Sequence, residues 1–284
     1  MARYQVILAY DGTDFVGSQR QAKSGGLSSP APVERSGPGS KPRTVQGELE
    51  KALRKLGWSG RSVLLAGRTD AGVHASGQVA SFDLDWGHAS GDLLRALNAN
   101  LPADIAARDV RIVSPKFHPR FDATSRRYRY RLFCQPVRDP LREKSAWRVW
   151  PEIDGEALKA AAQLFVGQHD FAAYGTPPRA GSSTLRTVLN ACWQAKDDEW
   201  HFEVQANAFL YRMVRRLVFV QVAVAQGKIS VETVSRSLAG QAEGVALNVS
   251  NGLERSELPP GLAPAHGLTL VEVTYPTESS GHIE

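Results

Sequence analysis

The chain has 284 residues, 42% of them hydrophobic and 22% charged, with a formal net charge of +5. Such a composition is ordinary for a globular protein, and a chain of this length can bury a core without disulfides. The longest apolar run, residues 217–225, is interrupted by Gln221 and is far too short to span a bilayer. Because no signal-peptide pattern stands at the N-terminus, we expect a cytoplasmic protein. Its basic balance permits a polyanionic partner without requiring one.

The N-terminal part of the chain predicts a mixture of strands and helices. Residues 3–10 alternate apolar and polar side chains, which is typical of a half-buried strand, and the turn pair Asp11-Gly12 follows. Residues 22–43 are mostly Gly, Ser and Pro, and we expect a flexible insert because they hold too few large apolar side chains to offset the entropy of ordering. Thr44 then caps a predicted helix over 45–56. Strands are predicted at 62–66, 79–84, 105–113 and 125–133, and a helix at 92–98.

The C-terminal part predicts a similar order of elements, although the sequence itself does not repeat. Helices are predicted at 155–166, 208–225 and 230–240, and strands at 185–195, 200–205 and 268–275. The predicted fold class is α+β: two similar half-domains share a mainly antiparallel mixed sheet, with helices on the outer face and an active-site cleft between them. We expect the half-domains at residues 1–118 and 119–276, followed by a tail at 277–284.

The segment Gly-Arg-Thr-Asp-Ala-Gly-Val-His, residues 67–74, is the strongest candidate for chemistry. Its small residues let the backbone turn sharply and approach a ligand closely. An unperturbed Asp has a pKa of roughly 3.9, so Asp70 needs no tuning to be ionised at pH 7. Arg68 is near enough in sequence to pair with Asp70 when a substrate covers the carboxylate. From these residues alone, a turn-stabilising Asp and a catalytic Asp both remain open.

Two arginine clusters interleaved with aromatic residues indicate phosphate binding, with a merely solvated face as the alternative. The clusters are Arg120, Arg126, Arg127, Arg129 and Arg131, and then Arg212, Arg215 and Arg216. Alternation predicts Tyr128 and Tyr130 on one face of a strand and the arginines of that strand on the other. Tyr128 could therefore line a cleft or lie in the core. The stripe of Phe209, Met213, Leu217 and Val220 is interpreted as core.

The segment AGRTDAGVHASGQVASF, which contains Asp70, resembles the signature of the tRNA pseudouridine synthase A family. Further segments are similar to that family in the same order: YQVILAYDGTDFVGSQRQ, TVQGELEKAL, NANLPADIA, FHPRFDATSRRYRYRLF, NAFLYRMVRRLV and APAHGLTLVEVTYP. These collinear matches extend over nearly the whole chain. On this basis the chain is identified as a member of the family.

The resemblance implies an isomerase that converts uridine to pseudouridine in the tRNA anticodon stem-loop, at positions 38, 39 and 40, after flipping the base out of the stem. It implies that Asp70 is the catalytic nucleophile and that Arg68 pairs with it and helps to displace the base. Tyr128 is implied to contact the flipped uridine, and Arg215 corresponds to a basic residue near the catalytic Asp. The resemblance also implies a homodimer with tRNA lying across both subunits, and no cofactor or metal.

Two features depart from the family pattern. Ser18 stands where related sequences usually have Trp, so we expect the loss of an aromatic contact near the cleft. Residues 22–43 replace a much shorter loop and carry Lys23, Arg35, Lys41 and Arg43 against a single Glu34. We interpret this stretch as a tolerated surface insertion, with loose binding of RNA as the alternative.

Two other classes of protein compete with this interpretation. A noncatalytic RNA-binding protein could use the same sheet and arginines, and Asp70 would then be dispensable. A zinc deaminase would need a His-x-Glu with a Pro-Cys-x-x-Cys, which the sequence lacks, and its two cysteines and seven histidines show no ligand spacing. His74 and His118 are interpreted as hydrogen-bonded structural histidines.

Overall fold

The computed structural model describes residues 1–20, 42–179, 181–239 and 257–276. The chain divides into two compact units: unit 1 is Met1–Arg126 with the C-terminal segment from Thr269, and unit 2 is Arg127–Leu268. This division differs from the predicted boundary after residue 118. The C-terminal segment returns to unit 1, where the Thr124 N–H donates to the carbonyl of Thr274 (2.9 Å) and the Tyr275 hydroxyl donates to the carbonyl of Pro119 (2.7 Å).

The described residues form ten strands and five α-helices. In chain order these are β1 (Ala2–Tyr10), α1 (Val45–Lys55), β2 (Leu64–Leu65), β3 (His74–Leu84), α2 (Ser90–Asn100), β4 (Ile105–Val113), β5 (Ser125–Cys134), β6 (Trp147–Val149), α3 (Gly155–Gln163), β7 (Gly167–Asp170), β8 (Leu185–Lys196), β9 (Glu199–Ala206), α4 (Met213–Ala225), α5 (Val231–Ala239) and β10 (Leu268–Thr274). Short 3₁₀ turns lie at Ala172–Tyr174 and Ala265–Gly267.

The sheet of unit 1 is built around β1 and β3. Strand β1 pairs antiparallel with both β3 and β4, and Tyr4 lies opposite Phe82 on one side and Ile112 on the other. Strand β2 pairs antiparallel with β3, and β10 pairs parallel with it, with Thr269 opposite His74. The predicted alternation in β1 is confirmed, because its apolar members are buried in the core of unit 1, as are leucines of α1 and α2. These core residues are Tyr4, Val6, Leu8 and Tyr10 with Leu49, Leu53, Leu93 and Leu97.

Strand β3 begins five residues earlier than predicted, so part of the Gly-rich segment is strand and not loop. On one side this part of β3 pairs with β1, where Tyr10 lies opposite Ala75. On the other side it pairs with β10, and a Cβ at Gly77 would lie 2.1 Å from the carbonyl oxygen of Val271 in β10. The missing side chain of Gly77 therefore lets the β10 backbone approach β3. Both pairings extend the strand that leads directly out of the Asp70 loop.

In unit 2 the strands follow the order β5-β9-β8-β7, and β6 pairs parallel with β5. Helix α4 is buried along most of its length, as predicted for the stripe that contains Met213, Leu217 and Val220, although Phe209 is only half-buried. The helix begins at Met213 and not at 208, because Tyr211 exchanges two backbone hydrogen bonds with Thr176 and Arg212 has a φ of 64°. Neither conformation continues a helix.

The predicted α+β class, with a mixed and mainly antiparallel sheet, is confirmed. Most of the predicted insert (residues 22–41), the end of the predicted helix at Gly240 and the tail at 277–284 lie outside the described residues. The described end of the insert differs from the prediction, because Arg43 donates to both carboxylate oxygens of Asp104 (2.9 and 3.0 Å) and stacks over Phe15. Arg43 is therefore fixed in unit 1.

None of the helices in the described residues combines the length and apolarity that crossing a bilayer requires.

Candidate active site

Asp70 lies on the loop between β2 and β3 and is half-buried. The loop turns directly after it: the Val73 N–H donates to the Asp70 carbonyl (3.2 Å), and Gly72 takes a φ of 78°, which glycine adopts without strain. The turn thus holds the Asp70 backbone. Asp70 also has a further interaction with another group of the protein.

The residue before Asp70 is anchored through all of its polar groups. The Thr69 N–H donates to Ser18 Oγ (2.8 Å), its carbonyl accepts from the Ser18 N–H (3.1 Å), and its hydroxyl lies 2.8 Å from the hydroxyl of Tyr10. Two residues earlier, the Gly67 carbonyl accepts from Gln78 Nε2 in β3 (2.9 Å). Burial raises the pKa of Tyr10, and hydrogen bonds with Thr69, Gln78 and Ser18 oppose that rise. Tyr10 is therefore a neutral hydrogen-bonding group at the base of the loop.

A second loop, residues 11–18, lies directly against the Asp70 loop. A Cβ at Gly12 would lie 2.0 Å from the Val73 carbonyl oxygen, and Gly17 has a φ of 119° with Thr69 as its near neighbour. The Gly72 N–H donates to the Phe15 carbonyl (3.3 Å). The two glycines therefore permit a close backbone approach that another residue would block.

Both singled-out histidines have structural contacts, as predicted. His74 Nδ1 accepts from the Gly12 N–H (3.1 Å), which ties the end of the Asp70 loop to residues 11–18. His118 Nδ1 accepts from the backbone N–H groups of Arg120 and Phe121 (3.2 and 3.3 Å). Asp11 lies beside His74; burial would raise the pKa of Asp11, but hydrogen bonds from Thr13 and the nearby His74 lower it.

Arg68 is exposed at the surface of unit 1. Its pairing with Asp70, expected from the sequence once a substrate covers the carboxylate, stays a prediction. Ser18 differs from the expectation, which was only the loss of an aromatic contact. It is fully buried and is the residue that holds Thr69.

The other two predicted site residues lie in unit 2. Tyr128, on β5, is 9% exposed and packs edge to face with Phe209 at 5.1 Å between ring centroids. Arg215, on α4, is half-buried, and its Nε donates to the Ala263 carbonyl (2.7 Å). Its charge also acts on the neighbouring strand: burial raises the pKa of Tyr130 well above the usual value, and Arg215 opposes that rise.

Most of the first arginine cluster has protein partners in place of the phosphates or open solvent that we expected. Arg127 and Arg129 donate to Glu203 of β9 (3.1 and 2.6 Å), and Arg131 donates to Glu199 (2.8 Å). Arg126 donates to the carbonyls of Arg120, Ala123 and Ala66. In the second cluster, Arg216 donates to the carbonyl of Gly261 (3.1 Å) and also to that of Pro259.

The structure thus brings Asp70 and Arg68 onto one loop of unit 1 and puts Tyr128 and Arg215 in unit 2. Sequence reasoning missed the supports of the loop, which are Tyr10, Ser18, Thr69 and Gln78. A weak signal for two of them existed, since Thr69 adjoins Asp70 and Tyr10 ends its strand next to the Asp11-Gly12 turn. Among the described residues, no group of three His, Cys, Asp or Glu side chains could hold a metal ion.

Comparison with known proteins finds relatives that align with nearly the whole chain. The family model described as tRNA pseudouridine synthase matches residues 161–276. Three proteins named tRNA pseudouridine synthase A each align with 97% of this chain. They come from Solidesulfovibrio magneticus (41% identical, 92% of its own length), Chloroflexus aurantiacus (38%, 90%) and a Geobacter species (36%, 100%). Members of this family are isomerases that convert uridine to pseudouridine in tRNA. This chain belongs to the tRNA pseudouridine synthase A family.

Proposed function

We propose that the chain forms pseudouridine in the anticodon stem-loop of tRNA, at positions 38, 39 and 40, with Asp70 as the catalytic carboxylate. The observation that carries the proposal is the support of the Asp70 loop. Thr69 has its N–H, carbonyl and hydroxyl all engaged, while the neighbouring carboxylate is only half-buried. A reactive group gains most when its backbone is fixed before the substrate binds, because no ordering is then required in the reaction.

The reaction needs only what a carboxylate can supply. The bond from uracil N1 to C1′ of the ribose breaks, the uracil turns, C5 bonds to C1′, the proton on C5 leaves to solvent, and N1 takes up a proton from solvent. Asp70 either attacks C1′ as the uracil departs or removes a proton from the sugar, and both routes return the carboxylate unchanged at the end. The atoms of product and substrate are the same, so no oxidant or group donor enters.

The target base lies within a stem and must leave its stack, which costs a few kcal/mol. We assign Arg68 to the emptied position in the stack, since its side chain is exposed two residues before Asp70. We assign Tyr128 to contact with the flipped uracil, with its ring held by Phe209. Arg215 supplies positive charge near the reacting groups in this proposal. The resemblance to the family supports each assignment.

The partners follow from the same resemblance. We propose a homodimer with tRNA lying across both subunits, and a protein that works in the cytoplasm, where its substrate is found. Light scattering of the purified protein, alone and with tRNA, tests the dimer. A monomer that modifies tRNA at full rate would contradict it.

The test of position uses tRNA transcripts labelled with tritium at C5 of every uridine. Formation of the new C5–C1′ bond releases that tritium. A measurement of mass alone would not detect the reaction, because unlabelled product and substrate have the same mass. We expect release from transcripts with uridine at 38, 39 or 40. No release is expected when all three are cytidine and the opposite bases are changed to keep the stem paired.

Release that is unaffected by these changes would contradict the assigned positions. Tight binding of every transcript without release from any would instead favour the noncatalytic RNA-binding alternative. Binding is to be compared at one stated salt concentration, because phosphate contacts weaken steeply with salt for any such protein.

A further inference from the structure

We infer that Ser18 is a positioning residue that sets the place of Asp70 by holding Thr69; this inference rests on the proposed role of Asp70. Ser18 is fully buried, and Thr69 is 3% exposed. Nothing in the chemistry of the reaction requires a hydroxyl at Ser18. Its contacts are what connect it to the candidate active site.

Ser18 controls the peptide groups on both sides of Thr69. Its Oγ accepts from the Thr69 N–H (2.8 Å), and its own N–H donates to the Thr69 carbonyl (3.1 Å). A peptide group is planar, so the Thr69 carbonyl lies in one rigid plane with the N–H of Asp70. The N–H and the carbonyl of Thr69 belong to the two peptide groups on either side of this residue. By fixing both groups, Ser18 fixes the peptide plane that ends at the Cα of Asp70, from which the Asp70 side chain projects.

Ser18 is itself fixed to helix α1. Its carbonyl accepts from the Gln46 N–H (2.9 Å) in the first turn of that helix. The Gln46 side chain continues the support: Oε1 accepts from the Arg20 N–H (2.9 Å), and Nε2 donates to buried Glu50 (3.0 Å). A continuous set of hydrogen bonds therefore runs from α1 through Ser18 to Thr69.

The hydroxyl is the part of Ser18 that can be removed without touching the backbone. Its loss would leave the buried Thr69 N–H without an acceptor, which is unfavourable unless the loop moves to find one. The bond from Tyr10 to the Thr69 side chain would remain, so we expect the loop to shift and not to unfold. Misplacement of a catalytic group by about 1 Å costs on the order of 100-fold in rate.

The test compares Ser18→Ala with Ser81→Ala in the full-length protein. Ser81 is a matched control because it lies in β3 of the same unit, is 1% exposed, and its hydroxyl has no hydrogen-bond partner among the described residues. The readouts are the single-turnover rate constant for tritium release at saturating tRNA and the Kd for tRNA. Both are measured well below the unfolding midpoint of each variant.

We expect Ser18→Ala to lower the rate constant about 10- to 100-fold with Kd within about twofold of wild type, and Ser81→Ala to match wild type. Ser18→Cys, whose sulfur is a weaker acceptor of similar size, should give an intermediate rate. It also carries the test if the alanine variant does not fold. A wild-type rate constant in the folded Ser18 variants would overturn the inference, as would a loss confined to tRNA binding. Failure of the proposed function would look different, because wild type would then release no tritium.

Discussion

Glu199 of unit 2 binds an arginine side chain that the sequence alone assigns to phosphate or to solvent. Its carboxylate accepts hydrogen bonds from Arg131 (2.8 and 3.0 Å) and from Arg142 (3.3 Å). It also lies 3.2 Å from His201 Nε2. Burial alone would raise the pKa of Glu199, but Arg131, His201 and Arg142 lower it to about 2. The carboxylate is therefore the centre of an ionic network that includes one arginine from the predicted phosphate-binding cluster.

This network predicts a pH-dependent stability. The folded-state pKa of about 2 lies below the ordinary value of 4.5, so the stabilisation is complete above pH 4.5 and is lost as pH falls toward 2. We expect Glu199→Gln to lower the free energy of unfolding at pH 7 by roughly 2 kcal/mol, after allowance for solvent screening. The difference from wild type should shrink between pH 4.5 and pH 3.

Urea unfolding of both proteins at pH 7, 5, 4 and 3 measures that difference. Glu156→Gln is the control, because Glu156 makes an exposed pair with Lys159 and should change stability by less than about 0.5 kcal/mol. A difference between wild type and Glu199→Gln that stays constant down to pH 3 would contradict the assigned network.

At the scale of elements, the loop that carries Asp70 depends on the strand that follows it. Strand β3 receives β10 only because Gly77 has no side chain, since a Cβ there would meet the Val271 carbonyl oxygen at 2.1 Å. The sequence shows the glycine but not the strand that approaches it from nearly 200 residues away. Local sequence patterns therefore predict a loop for this segment.

We expect Gly77→Ala to lower the free energy of unfolding by more than about 2 kcal/mol, because the backbone of β10 or β3 must move. Gly91→Ala is the matched control: Gly91 is exposed in the first turn of α2, and a Cβ there would meet nothing within 4 Å. That change should be neutral or stabilise by up to about 1 kcal/mol. Equal midpoints in urea for the two variants would show that β10 does not approach β3 as described.

Helix α4 illustrates a different limit of sequence analysis. The apolar periodicity extends back to residue 208, and nothing local marks Met213 as the start. The start is set by Thr176, which pairs with Tyr211 through backbone hydrogen bonds and holds the chain extended there. The periodicity indicates which face of α4 can be buried. The residue at which α4 begins depends instead on Thr176, which lies 35 residues before Tyr211 in the chain.

For the whole molecule, the fold class and the position of Asp70 could be predicted, because collinear segments along the chain resemble one family. The supports of Asp70 could not, since they come from separate segments: Tyr10 and Ser18 meet Thr69, and Gln78 meets Gly67 and Tyr10, only in the folded unit. The net charge of +5 also does not indicate where on the protein RNA would bind. Several of the arginines that suggested an RNA-binding cluster are held by Glu199 and Glu203.

The most direct measurement is tritium release from C5-labelled tRNA by wild type, Asp70→Asn and Asp14→Asn. Asp14 is an exposed carboxylate on the adjacent loop, so its change to Asn alters the charge by the same amount nearby. We expect Asp70→Asn to release no tritium while it still binds tRNA, and Asp14→Asn to release it at the wild-type rate. Near-normal release by Asp70→Asn would contradict the assignment of Asp70 as the catalytic carboxylate.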